Sequence, residues 1–539
     1  MKHFRLENSV IIACLCLLAI LPSSAWALAS NNVPLDSPVY FYLEKLEGLG
    51  LITSDVKGVR PFAKAEVARL LLEAEGALAN SDLTDPLFAA DLIRRVRELV
   101  PREVSLRKEP QGAPFFDFNP LAAARLRYVY LDGVPRSYDR QVFVPGGQQV
   151  FGFIGSRMRP NDAGIVSESG TEGTPLLENN EGTMYRKGSN GEVRWSLEGY
   201  VTDKASLLLE PALLITPGND RAALRKAYVK FGGGGLELEV GRDANWFGPG
   251  YRGSTTLTNN AKNLDSVKLS SPEPLDVAWV KRYLGDFKYS SIFSRLDETG
   301  SGATLRHPYF VGIMLALKPK PWYEVGIHFV RMEGGPGFQG HTTLQDEIFG
   351  GGWTNKSATT AGIDLRFRIP WLRNTEIYGD YSGSDSALFW PFVESYVAGF
   401  YIPRLTASGR DDLRCEFFYG NPKLYADAKF PAGFVYQGLP FGHSQGGAAL
   451  EFFTRYSHWF SPRNNVALEY FHTDRGREGR VGNQQTEEKN AWRGFWALPL
   501  YGDIDLDLMY GWERINNVDL VGAAKRTNQL LSVDLQYRY

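Results

Sequence analysis

Cysteine is nearly absent from this chain of 539 residues. Cys14 and Cys16 lie inside an N-terminal apolar run, and only Cys415 lies beyond it. If the first two leave with an export signal, one thiol remains, and one thiol forms no internal disulfide. Cys415 sits in the alternating stretch Leu413-Arg414-Cys415-Glu416-Phe417, an ordinary strand position. An excess of charge is also lacking. Lys plus Arg number 59 against 61 for Asp plus Glu, with no basic block and no acidic tail, which argues against nucleic acid as a partner. Seven dispersed histidines form no HExxH or other close ligand spacing. No GxSxG elbow occurs near residues 302–308 or 438–447, and no Gly-rich phosphate loop leads into a helix. The pattern of an enzyme is missing, and no cofactor or metal is implied. Beyond the N-terminus no run of 18 apolar residues occurs, so the chain holds no helical membrane span.

What is present begins with a leader. Lys2, His3 and Arg5 precede the apolar run 10–21, and Ala25-Trp26-Ala27 or Ala27-Leu28-Ala29 offers small residues for cleavage. That order predicts a signal peptide over residues 1–29. No cysteine stands beside the cleavage site, so lipidation is not expected.

Residues 30–110 then read as a helical region. Segment 38–48 carries Val39, Tyr40, Leu43 and Leu46 at spacings of three and four; segment 63–74 repeats this with Val67, Leu70 and Leu71. A third helix is expected over 86–99, with Leu92, Val96 and Leu99 on its stripe and Pro101 as its stop. Three such helices can bury their stripes on one another or on the rim of a larger domain.

Over 111–539 the period becomes two. Residues 124–131, 193–201, 236–242, 363–369 and 504–508 alternate strictly. The last segment sets Leu531, Val533, Leu535, Tyr537 and Tyr539 against Ser532, Asp534, Gln536 and Arg538. Further strands are expected near 148–157, 205–216, 223–231, 277–284, 287–296, 308–318, 322–332, 374–382, 392–402, 407–419, 446–456, 464–473 and 492–499. The polar face carries Arg, Glu and Asp in strand after strand. A soluble barrel would bury one face in an apolar core, whereas a membrane barrel turns its apolar face to lipid and encloses the polar one. A mean hydropathy of −0.25 agrees, since only alternate strand residues face lipid. The expected fold is therefore an all-β antiparallel transmembrane barrel of 16 to 20 strands in the outer membrane. A C-terminal strand ending on an aromatic residue fits insertion by the barrel assembly machinery.

Aromatic residues make up 13 % of the chain, many near strand ends: Tyr283, Phe287, Tyr309, Phe310, Trp322, Tyr323, Phe389, Trp390, Tyr401, Trp459, Phe460 and Tyr501. Girdles at the two membrane interfaces would place them there. Tight turns at 202–204, 318–321 and 498–503 suit a periplasmic rim, and long segments at 159–192, 332–356, 419–445 and 474–490 suit outer loops.

One segment stands apart. Gly241-Arg242-Asp243-Ala244-Asn245-Trp246-Phe247-Gly248-Pro249-Gly250 leads into Tyr251-Arg252-Gly253-Ser254 and then Asn259-Asn260-Ala261. The WFGPG stretch, the Gly-Ser and the Asn-Asn-Ala closely resemble the signature of the capsule assembly protein family (Wzi-like outer-membrane proteins), with Phe247 where a second Trp is frequent. The helical stretch 42–50 with Arg60-Pro61-Phe62 and Glu66, and the later segment 438–447 around His443, resemble the same family in order along the chain.

The resemblance implies a barrel of about 18 strands with a small periplasmic helical bundle. It further implies a lectin-like, non-catalytic role in assembling or attaching capsular or exopolysaccharide. Outer-membrane lipid and lipopolysaccharide would surround a monomer. Rings can cover sugar faces while Arg, Asp and Asn bond hydroxyls or carboxylates. Trp246, Tyr251 and Trp353 are candidate ring platforms; Arg242, Asp243, Arg252, Asn259, Asn260 and His443 are candidate polar or lumen residues. Each has a structural alternative. Trp246 can pack in the lumen, Asn259 and Asn260 can satisfy loop backbone, Arg242 and Asp243 can form a strand-end network, and His443 can close a turn. A diffusion porin is the competing function, since a barrel this large can enclose water.

Overall fold

In the computed structural model the alternating segments become strands because each satisfies its backbone through two neighbours while its side chains divide between two environments. The structure describes residues 28–109, 112–144, 164–275, 277–297, 307–335, 357–387, 390–427, 430 and 432–538. Most of the leader, the expected strand at 148–157, Phe389, Trp353 and Tyr539 lie outside them.

Eighteen antiparallel strands close a barrel. They are β1 (Phe116–Asp132), β2 (Gly188–Val201), β3 (Ala205–Ile215), β4 (Arg221–Gly233), β5 (Leu236–Asp243) and β6 (Leu264–Ser270). Then follow β7 (Asp286–Arg295), β8 (Tyr309–Lys320), β9 (Tyr323–Glu333), β10 (Ser357–Ile369), β11 (Thr375–Ala387) and β12 (Trp390–Ile402). The meander ends with β13 (Asp411–Gly420), β14 (Ala449–Ser461), β15 (Asn464–Arg475), β16 (Glu487–Tyr501), β17 (Ile504–Asn516) and β18 (Lys525–Arg538). Each strand pairs with the next, and β1 pairs with both β2 and β18, setting Tyr128 opposite Gly191 and Val533. Closure leaves the wall without an exposed edge, the condition for crossing lipid with strands.

Burial follows the period. Along β8, Val311, Ile313 and Leu315 point out, while Phe310, Met314 and Lys318 point in and are buried. The inward faces of β2 and β10 carry Glu192, Arg194 and Glu198, and Asp364, Arg366 and Arg368, all buried. Tyr283, Trp322, Phe460 and Tyr501 are exposed, as girdle residues would be, but Phe310, Tyr401 and Trp459 turn inward and are buried. Those three pack against material inside the barrel, which periodicity alone does not announce.

Two strand assignments change. The segment expected as a strand at 277–284 is helix α5 (Ala278–Leu284). The segment lies beyond the last paired residue of β6, Ser270, and before β7 begins, and it satisfies its backbone locally, as in Lys281 N–H to Val277 O at 2.9 Å. Conversely β6 itself was not expected.

The N-terminal region holds α1 (Val39–Gly48), α2 (Lys64–Leu78), α3 (Pro86–Leu99) and α4 (Pro101–Lys108). Pro101 ends the third helix as expected, and it also begins the fourth, since a missing N–H costs nothing at a first helical position. Asp85 caps α3 by accepting from Phe88 N–H at 3.1 Å. Leu43, Leu46, Leu70, Leu71, Phe88, Leu92 and Val96 form one core that includes Trp459 of β14. The helices enter the barrel at the end with short turns. Lys45 Nζ meets Asp412 at 2.7 Å and the carbonyls of Pro403 and Gly409 at 3.0 Å, and Asn374 donates to Gly48 O. The opposite end carries the long connections 133–187, 244–263 and 421–448.

Candidate functional site

The segment between β5 and β6 does not hang from the rim; it runs through the lumen. Trp246–Phe247 pairs with Val59–Arg60 as a two-stranded sheet, joining this loop to the N-terminal region. Gly248 N–H donates to Gly58 O at 2.9 Å. The Arg60 guanidinium lies over the Trp246 ring, 4.7 Å from its centroid, and donates to Gly248 O and Gly250 O at 3.1 and 2.8 Å. Further along, the Glu416 carboxylate accepts from the backbone N–H groups of Tyr251 and Arg252 at 2.8 and 2.9 Å. Arg252 is buried and reaches Glu178 at 2.8 Å and Glu451 at 2.9 Å. The Glu178 carboxyl is buried, which alone would raise it, yet Arg252 and Arg493 hold it well below the usual carboxylate range.

The loop then meets the connection between β13 and β14. Thr258 N–H donates to Phe441 O at 2.7 Å, its hydroxyl to Gly442 O at 2.7 Å, and Asn260 Nδ2 to Pro440 O at 3.1 Å. Tyr425 Oη donates to Thr255 O and accepts from His443 N–H, at 2.5 and 2.8 Å. Phe247, Leu257, Phe310, Met314, Phe434, Tyr436 and Phe441 fill the space between, with Phe310 and Phe441 rings 4.9 Å apart. His443 stacks flat on Phe418 at 3.6 Å, and Gly253 lies so close that a Cβ there would overlap the imidazole. Burial pushes His443 down to about 4.

The candidate residues therefore divide. Trp246, Arg252, Asn259, Asn260 and His443 are buried, and Tyr251 is half-buried between Phe453 and Phe41. The Asn260 amide holds loop backbone through Pro440 O and Asn179 N–H, whereas Asn259 accepts from Glu181 N–H at 2.8 Å through its own backbone carbonyl and its Oδ1 is buried without a protein partner. Arg242 and Asp243 part company at the strand end. Arg242 points outward to Asp265, while Asp243 points inward and accepts from Asn32 Nδ2 at 2.7 Å. Arg242 is thus not a lumen residue.

A second group went unnoticed in the sequence. Arg136, Glu172, Ser444, Gln445, Arg475, Lys489, Arg526 and Asn528 line a pocket at the long-loop end. Arg136 bridges Glu172 and Glu487 at 2.6 and 2.7 Å, Arg475 donates to Gln445 O at 2.9 Å, and Lys489 to Gln445 Oε1 at 3.1 Å. The Ser444 hydroxyl and Arg475 Nε are buried there without a protein partner. Only the inward parity of Arg475, Lys489 and Asn528 was available beforehand. Among the described residues, no three His, Cys, Asp or Glu side chains are grouped to hold a metal ion.

The arrangement can be set beside known proteins. The family model described as capsule assembly protein Wzi matches residues 157–530. No curated protein matches in sequence. Among solved structures the chain is similar to Wzi of Escherichia coli, described as an outer-membrane protein involved in group 1 capsule assembly and a carbohydrate-binding β-barrel. The TM-score is 0.66 at 14 % identity, covering 95 % of this chain and 100 % of that one. OpdQ of Pseudomonas aeruginosa (TM-score 0.40, 11 % identity, 77 % of this chain and 97 % of that one) is a more distant match. OccAB4 of Acinetobacter baumannii (0.42, 9 %, 80 % and 99 %) is another. With more than half its length matched by the family model, this outer-membrane β-barrel belongs to the capsule assembly protein Wzi family.

Proposed function

We propose that the protein assembles or attaches capsular or exopolysaccharide at the cell surface, holding the polymer at the long-loop mouth of a filled barrel without catalysing a reaction on it. Family membership carries this reading, together with the carbohydrate binding described for the E. coli protein of the same fold. The filled lumen supports it over a diffusion porin. The motif loop, the N-terminal helices and the aromatic cluster occupy the space a solute would cross.

In this reading the short-turn rim and the helices face the periplasm, and the mouth with Arg136, Arg475 and Lys489 faces outward. Trp246, Asn259, Asn260 and His443 act by shaping the plug. Direct polymer contact falls to the rim around the mouth pocket, whose own Arg136, Arg475 and Lys489 are buried in ion pairs and amide bonds, and charged and amide groups there suit sugar hydroxyls and carboxylates. The barrel assembly machinery would insert the chain as a monomer among lipid and lipopolysaccharide. Comparing bound with released polysaccharide in a deletion strain tests the function. A rise in released polymer, restored by the wild-type gene, is expected; an unchanged ratio overturns it. In planar bilayers the purified protein should show no steady conductance, whereas stable, saturable solute currents would favour the porin.

A further inference from the structure

We propose that α5 lies in the plane of the membrane interface beside the short-turn rim, where phospholipid covers its apolar face. The helix joins β6 to β7 and packs on β7 and β8. On a helical projection Trp279, Tyr283, Val280 and Leu284 share one broad stripe, and Lys281 and Arg282 occupy the opposite arc. Only Val280 is buried. Trp279 is 65 % exposed, Tyr283 71 %, and Leu284 is exposed beside them. Two large rings on a seven-residue helix are thus left uncovered by protein, as Phe460 and Tyr501 are.

The covering material follows from position and charge. The strands that α5 touches present Phe287, Leu315 and Leu317 on the lipid-facing side, so the ring-bearing stripe continues that belt. Two nearby hairpin tips at the same rim expose Trp322 and Trp371. Indole and phenol rings settle where acyl chains meet headgroups, and lysine and arginine reach phosphate from that depth. The Arg282 guanidinium, 5.6 Å from the Tyr283 ring centroid, keeps its charge on the headgroup side of that ring. A periplasmic protein could cover the same stripe, but the continuity with the belt and the paired basic residues favour phospholipid. This goes beyond the polymer function and uses only the placement of the wall in a bilayer.

Nitroxide labels test it in the full-length protein, in a background carrying Cys14→Ala, Cys16→Ala and Cys415→Ala. Labels are placed by Trp279→Cys, Tyr283→Cys and Lys281→Cys after reconstitution into phosphatidylethanolamine–phosphatidylglycerol vesicles. Power saturation should show labels at 279 and 283 more accessible to oxygen than to a water-soluble nickel chelate, with the order reversed at 281. Free access of the chelate to 279 and 283 would place the stripe in water and overturn the inference. Exclusion of both agents would place it against protein and overturn it equally. Polymer takes no part in this readout, so a failed capsule assay leaves it standing, and the converse holds.

Discussion

The two ends of the plug are held by different forces. At the short-turn end, helices meet the wall through buried ion pairs. Arg366 of β10 bonds Glu47 at 2.7 Å, Asp55 at 2.8 Å and Glu376 at 2.9 Å, and Lys318 bonds Asp55 at 2.7 Å. Toward the mouth, Arg252 still pairs with Glu178 and Glu451, but the motif loop and the 421–448 connection meet each other through backbone hydrogen bonds and stacked rings. Ion pairs tie the helical region to a charged wall and fix its orientation. Rings and backbone bonds make two loops into one packed unit. A polar lumen is compatible with a firm plug because its charges are paired at both ends, while the aromatic cluster packs the space between the two loops.

The largest test of this contrast removes the hub of the ionic end. Arg366→Ala would take from buried Glu324 the guanidinium that bonds it, and would leave Asp55 to Lys318 and Arg368 and Glu376 to Lys57, a loss of up to about 3–5 kcal/mol. Hydrogen exchange should rise across residues 39–108 and stay slow across 246–261. Equal loosening of both segments would mean that the plug is one cooperative unit.

Acidification should act on the other end. Burial lowers His443 from 6.5 to about 4, so the opened loop takes up a proton that the packed loop refuses. Stability at the loop end is complete above pH 6.5 and falls as pH drops toward 4. Asp55 behaves otherwise. Although burial alone would raise it, Arg366 and Lys318 depress its carboxyl, so its contribution persists down to its ordinary value near 3.8 and is lost only below that. Between pH 6.5 and 4.5, exchange should rise over 246–261 and 438–447 before it rises over 39–108. His443→Gln should flatten that dependence.

The smallest effect belongs to the outer wall. Asp265→Asn breaks the pair with Arg242, but Asp265 is exposed and Arg242 keeps its bond to Leu224 O at 2.9 Å. A change below about 1 kcal/mol in thermal unfolding is expected. A larger one would show that this outward pair anchors the motif loop at its root.

Much of the wall was legible, and the reasons for the exceptions are physical. Leu531 to Tyr537 and Ile363 to Ile369 alternate cleanly because one side faces lipid and the other faces charge, so period two is written in hydropathy. Strand β6 was missed because Asp265 stands on its outer face, paired to Arg242, and breaks the alternation at its start. The segment of helix α5 suits a strand as well as a helix because seven residues of mixed character fit either period, and its place in the connection between β6 and β7 is not written in their spacing. Phe310, Tyr401 and Trp459 look like girdle residues until something inside the barrel is known to need rings. For the site, Gly253 and Gly442 hinted at close packing but could not name His443 or Tyr425 as the neighbours. The mouth pocket brings together Arg136, Gln445, Arg475, Lys489 and Asn528 from widely separated parts of the chain, a convergence that linear spacing does not encode.

The small sheet of Val59–Arg60 and Trp246–Phe247 has a mechanical side. A polymer tethered to a cell surface transmits drag to its holder, and loops alone would stretch under that load. Here the motif loop, which the 421–448 connection contacts from the mouth side, is coupled by backbone bonds and the Arg60 clamp to a segment continuous with α1 and α2. The lumen thus contains a tie rod, which shares tension from the outer mouth with the helices seated at the opposite rim.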